Sequence, residues 1–166
     1  MNALWSLFWP PFAGGLLIGV IGGAIAFRRR SLRNRALIAG FALSVAAAAL
    51  WTGPLGGGDR FAQRVERDAQ LTLDFYEMRQ VTAHFHRAPL TRRLMLSGPA
   101  NDFQRTELVR TMETLPGISD ASWTSNGGGT PLILEAGAIA VLGFLFGLLV
   151  AYLRELRRRY NAQWNW

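Results

Sequence analysis

The chain contains no cysteine and no lysine, and only two histidines in 166 residues. Without cysteine there is no disulfide, no thiolate nucleophile and no thiolate-bound metal. Without lysine, the glycine run Gly127–Gly129 cannot complete a P-loop, whose lysine reaches the phosphates. Charge is missing from three long windows, residues 1–27, 36–58 and 136–153. Ion and proton pathways use ionisable groups at depth, so these windows disfavour a pump or transporter. Ser97 precedes Gly98 with no nucleophile elbow around it. The remaining carboxylates alternate with arginine, as on exposed salt-laced helix faces. No nucleophile–base set emerges. The chain reads as a non-enzyme that needs no cofactor.

What is present begins with those windows. A bilayer core of about 30 Å takes roughly 20 apolar residues as helix, and each window is long enough. Helices are the default there because the backbone must satisfy its own hydrogen bonds in lipid. Three buried soluble helices would leave too little other chain to cover them. The expected division is a first transmembrane helix in residues 1–27, a loop at 28–35, a second helix at 36–55, an extramembrane domain at 56–130, a third helix at 131–153 and a tail at 154–166. A secretory signal carries its basic residues before the apolar run. Here they follow it, so residues 4–27 read as a retained span with its N-terminus outside.

All 18 basic residues are arginine. Arg28, Arg29, Arg30, Arg33 and Arg35 fill the first loop, and Arg154, Arg157, Arg158 and Arg159 follow the third window. Between residues 53 and 131, nine arginines meet nine carboxylates, so the excess charge is juxtamembrane. Under the positive-inside rule the loop and the C-terminal tail are cytoplasmic and the neutral middle lies on the opposite side. Trp5, Trp9 and Trp51 mark one interface, and Tyr152, Tyr160, Trp164 and Trp166 the other. The pI near 11.3 would also suit a nucleic-acid binder. That reading needs a basic patch on a folded surface, whereas these arginines border apolar spans. No nucleic-acid partner is expected.

Small residues recur at every fourth position: Gly15, Gly19 and Gly23; Gly40, Ser44 and Ala48; Gly143, Gly147 and Ala151. Each triplet forms one stripe that lets helices approach closely, which points to a compact bundle, a homo-oligomer or a larger membrane complex. Pro10 and Pro11 suit a helix start. Glu135 suits the positive end of the third helix.

The middle of the chain has ordinary globular composition, flanked by glycine triplets at 56–58 and 127–129 that read as flexible joints. Phe61, Val65, Ala69, Leu73 and Tyr76 give a helix over 59–78. Val81, Ala83 and Phe85 give a strand over 80–86, and Leu94 and Leu96 another over 92–97. Asn101 or Asp102 caps a second helix, with Gln104 completing a capping box and Leu108, Met112 and Leu115 on its apolar face. Pro116–Gly117 ends that helix, and 118–124 supplies a last short strand. The expected fold class is therefore membrane α-helical, with three transmembrane helices plus a small α+β domain of order α-β-β-α-β.

That order, the Leu96–Ser97–Gly98 strand end with a helix after it, and the step Leu115–Pro116–Gly117–Ile118–Ser119 resemble the BON domain over residues 59–124. Gly98 and Gly117 fall where that family has its glycines. Trp123, the short final strand and the single copy between spans depart from the family pattern. The resemblance implies a non-catalytic module of the bacterial envelope; joined to the arginine topology, the expected location is the inner (cytoplasmic) membrane of a Gram-negative-type bacterium, with the domain in the periplasm. The resemblance also implies phospholipid or envelope binding and stress tolerance.

Candidate contacts follow from the charges. Arg87, Arg92 and Arg93 are the expected sites for an anionic lipid or partner. Arg157, Arg158 and Arg159 would face headgroups, at about 1 kcal/mol per basic residue. Trp164 shares a helix side with Leu153, Leu156 and Tyr160 if the third helix continues past the membrane. His84 and His86 share a strand face, but two imidazoles without a third ligand make no metal site. The expected function is envelope lipid or protein binding. The alternative is a structural or accessory subunit docked through the small-residue faces.

Overall fold

A computed structural model describes residues 3–28, 30–124 and 129–163. The chain is mostly helical, with three helices long and apolar enough to cross a membrane and a small three-stranded sheet. It divides into two compact units, one of residues 1–7 with 55–135 and the other of residues 8–54 with 136–166.

The second unit is a bundle of α2 (Arg33–Thr52) with all but the first residues of α1 (Ala3–Arg28) and α5 (Leu132–Gln163). At 1.5 Å per residue, α1 and α2 are about 39 and 30 Å long, enough for the hydrocarbon core. The stripes of small residues decide which helices touch. A Cβ on Gly15 would strike the Ala140 carbonyl, one on Gly19 the Phe144 carbonyl, and one on Gly23 would sit 2.7 Å from the Ala151 Cβ. Gly143 and Gly147 lie equally close to the Phe12 and Leu16 carbonyls. Residue numbers rise together along this seam, so α1 and α5 run parallel. Edge-on ring pairs flank it, Phe12 with Phe146 at 6.2 Å and Phe27 with Tyr152 at 5.7 Å.

Helix α2 runs the other way. Gly40 lies against the Phe144 ring and Ile18, and Ala48 joins a buried cluster with Ala136, Ala140 and Phe8. Ser44, the third buried residue of that stripe, donates its hydroxyl to the Phe41 carbonyl at 2.8 Å and so is satisfied. Around this seam Leu17, Ile21, Ile38, Phe41, Leu43, Leu145 and Leu149 are exposed. In water so continuous an apolar surface is a liability, whereas in lipid it is the expected exterior. The bundle is built for a bilayer.

The first unit holds α3 (Gly57–Phe75), β1 (Thr82–Arg87), β2 (Leu90–Ser97), α4 (Asp102–Glu113) and β3 (Asp120–Ser122). The sheet order is β1-β2-β3, with β1 and β2 antiparallel and β2 and β3 parallel. The two helices supply Phe61, Val65, Ala69, Leu73, Leu108 and Met112 to a core with Val81, Phe85, Leu94, Leu96 and Ala121. Asn101 and Gln104 form the capping box: the Gln104 amide donates to Asn101 Oδ1 at 2.8 Å, and the Asn101 amide to Gln104 Oε1 at 3.0 Å.

Boundaries shift for local reasons. The hairpin register pairs Arg87 with Leu90, which draws Leu90 and Thr91 into β2. The last strand shrinks to three residues because only Arg93–Met95 pair with it, after which Trp123 turns aside to donate to the Arg105 carbonyl at 3.1 Å. Tyr76, placed on the core face of α3 by its period, caps that helix instead and is exposed.

Gly98 and Gly117 both have positive φ, 136° and 115°. A Cβ on Gly98 would lie 2.5 Å from the Gln80 carbonyl oxygen, and one on Gly117 would lie 2.9 Å from Val65 Cγ2. Only glycine fits either turn. Of the second glycine joint, Gly127 and Gly128 lie outside the described residues.

Candidate functional site

The α/β domain has two chemically different ends. At one end the chain enters and leaves. The N-terminal part of α3 lies there, since Arg87 at the β1–β2 turn pairs with Asp59 at 3.3 Å and with Glu66 at 2.6 Å. Thr91 bridges to Pro131 where the chain moves on into α5, and Arg92 pairs with Glu135 at 2.8 Å. Glu135 thus sits in the first turn of α5, where its charge also meets the positive end of the helix dipole.

The expected anionic-contact residues are therefore not open cations. Arg87 and Arg92 belong to these pairs, and Arg93 pairs with Asp120 on the neighbouring strand at 2.7 Å. An incoming phosphate or carboxylate would have to displace a carboxylate already in place. Glu66 does more than pair with Arg87. Its Oε1 accepts the Phe85 amide at 2.7 Å, at the register shift in β1. That bond occupies one of the backbone amides on the free edge of β1.

The opposite end is where Thr82 pairs with Ser97. Helix α3 finishes just before this point and α4 starts just after it. Here Phe75 is 80% exposed, Phe103 75%, Leu71 61% and Tyr76 53%. The Phe75 and Tyr76 rings meet edge-on at 5.4 Å. Within four residues of these side chains the sequence has five carboxylates, Asp68, Asp74, Glu77, Asp102 and Glu107, against three arginines, Arg67, Arg79 and Arg105. Phe75 and Tyr76 thus form an exposed apolar pair at the end of α3, and Phe103 is exposed at the start of α4, in stretches of net negative charge. Rings this exposed on a small domain make this end the candidate interaction surface.

Sequence periodicity passed over these residues. Leu71, Phe75 and Phe103 fall out of phase with the core stripes of their helices, and that misfit was the available signal.

His84 and His86 are exposed on β1, on the side away from the helices. Among the described residues no three His, Asp or Glu side chains gather where they would hold a metal ion. Of the second candidate group, Arg157, Arg158 and Arg159 project from the last turns of α5, which stays helical through Gln163. Glu155 sits 3.2 Å from Arg159 and 4.0 Å from Arg158. Trp164 and Trp166 lie outside the described residues. Comparison with models of protein families, with curated proteins and with solved structures yields no match to this chain.

Proposed function

We propose that this chain is a non-catalytic, membrane-anchored docking protein of the bacterial cell envelope. Its three helices span the inner membrane, and its α/β domain faces the periplasm and binds a partner protein through the end that carries Phe75 and Phe103. The observation that carries this reading is that end itself: four large apolar side chains exposed opposite both chain connections.

Charge selects the partner class. The stretches around these side chains carry two net negative charges, so an anionic bilayer surface would be repelled, whereas a protein face with apolar centre and basic edge would be complementary. The orientation rests on the parallel run of α1 and α5, which brings Arg28 and Arg154–Arg159 to one end of the bundle, as the positive-inside rule requires of cytoplasmic ends. The BON-like reading draws support from the α-β-β-α-β order and from the geometric need for Gly98 and Gly117. The alternative, an accessory subunit docked through small-residue helix faces, requires those faces to be open. Gly15, Gly19, Gly23, Gly40, Gly143 and Gly147 are instead filled within the bundle, which favours docking through the domain.

The test is co-purification of the full chain from gently solubilised membranes. Wild type carries a stoichiometric protein partner, and Phe75→Ser with Phe103→Ser loses at least ten-fold of it while the domain stays folded. A wild type that emerges alone, or a double variant that keeps its partner, contradicts the proposal.

A further inference from the structure

Nine arginines lie in the stretches that form the membrane bundle, against one carboxylate side chain, Glu155. That carboxylate is already engaged with Arg158 and Arg159. Among the described residues, Arg28, Arg154 and Arg157 form no ion pair, and all three line a single groove between the C-terminal parts of α1 and α5. The groove is open along one side and has a volume of about 790 Å³. Its chemistry changes along its length. Val20, Ala24 and Val150 wall the part nearer the helix middles, and Arg28, Arg154, Arg157 and Arg158 wall the part beyond, together with the Glu155 carboxylate.

The geometry points to a binding site for the phosphate of an anionic phospholipid, its guanidinium end holding the headgroup and its apolar wall taking the first acyl methylenes. Guanidinium forks match phosphate oxygens bidentately, and at a membrane surface such bonds are less screened than in bulk water. A soluble phosphate ester offers the same oxygens but leaves the apolar wall bare. The parallel packing of α1 and α5 makes the site, because it carries Arg28 alongside Arg154 and Arg157. Glu155 limits it, by holding two further arginines.

Native mass spectrometry of the full chain in mild detergent tests the assignment, with phosphatidylglycerol, phosphatidylcholine and glycerol 3-phosphate as probes. Phosphatidylglycerol is expected to be retained at least ten-fold over phosphatidylcholine. The substitutions Arg28→Gln, Arg154→Gln and Arg157→Gln are expected to weaken retention about five-fold each. Glu155→Gln is expected to strengthen it, a direction that a folding defect would not produce. Equal retention of the two lipids, indifference to the arginine substitutions, or weaker retention by Glu155→Gln would overturn the site. Glycerol 3-phosphate binding as tightly as the lipid would reassign it to a soluble phosphate.

Discussion

Glu66 ties three parts of the α/β domain together from one side chain: α3, the bulged edge of β1 and the turn arginine Arg87. It is partly buried, and the Phe85 amide has its carboxylate as acceptor. Glu66→Ala leaves that amide without a partner, which costs about 1–3 kcal/mol. Hydrogen exchange at Phe85 should accelerate by roughly ten-fold or more, since 1.4 kcal/mol is a factor of ten in an opening equilibrium. Glu66→Gln keeps an oxygen acceptor and should fall between. Unchanged exchange in Glu66→Ala would mean the edge is held by something else.

At this scale the sequence was readable where a residue acts through its own neighbours. The Asn101–Gln104 capping box is such a case. It was unreadable where the partner is far along the chain. Arg92 with Glu135 and Arg93 with Asp120 are pairs that only the tertiary fold creates, and these are the residues that looked like open anion contacts.

Among the elements, the seam between α1 and α5 is the closest approach, and it depends on hydrogen in place of Cβ. Gly19→Leu would push a side chain into the Phe144 carbonyl and the Gly147 Cα and force the helices apart. Overpacking of that kind costs about 1–3 kcal/mol or more. Gly14→Leu is the matched control, because a Cβ there meets nothing within 4 Å. In detergent, thermal unfolding of Gly19→Leu should occur well below wild type, with Gly14→Leu close to it. Equal behaviour of the two variants would remove the seam from the account.

The stripes themselves were visible as four-residue spacings, and the order of helices and strands followed from period. The pairing was not visible. Nothing local tells that Gly15 meets Ala140 while Gly40 meets a phenylalanine ring, nor that β3 returns parallel to β2 through α4. Those depend on connections of many residues, which periodicity does not encode.

Across the whole molecule, charge is sorted rather than abundant. Arginine outnumbers carboxylate side chains nine to one in the membrane bundle and is balanced in the α/β domain, and both features stand in the linear sequence. Three spans oblige the first and third to run the same way, which is why two basic patches 126 residues apart, Arg28 and Arg154, can line one groove. The exposed apolar end was harder to see, because its residues look like ordinary core residues until the helices are set on the sheet.

The central claim is the proposed sidedness, with the arginine-rich end of the bundle cytoplasmic and the α/β domain on the opposite side. The natural absence of cysteine makes it directly measurable, because Gln63→Cys in α3 and Ser31→Cys in the turn between α1 and α2 would each be the one thiol of the chain, at exposed positions. With a membrane-impermeant maleimide on intact spheroplasts, the account predicts labelling of Gln63→Cys at once and of Ser31→Cys only after lysis. The reverse pattern, or equal labelling of both before lysis, would contradict it.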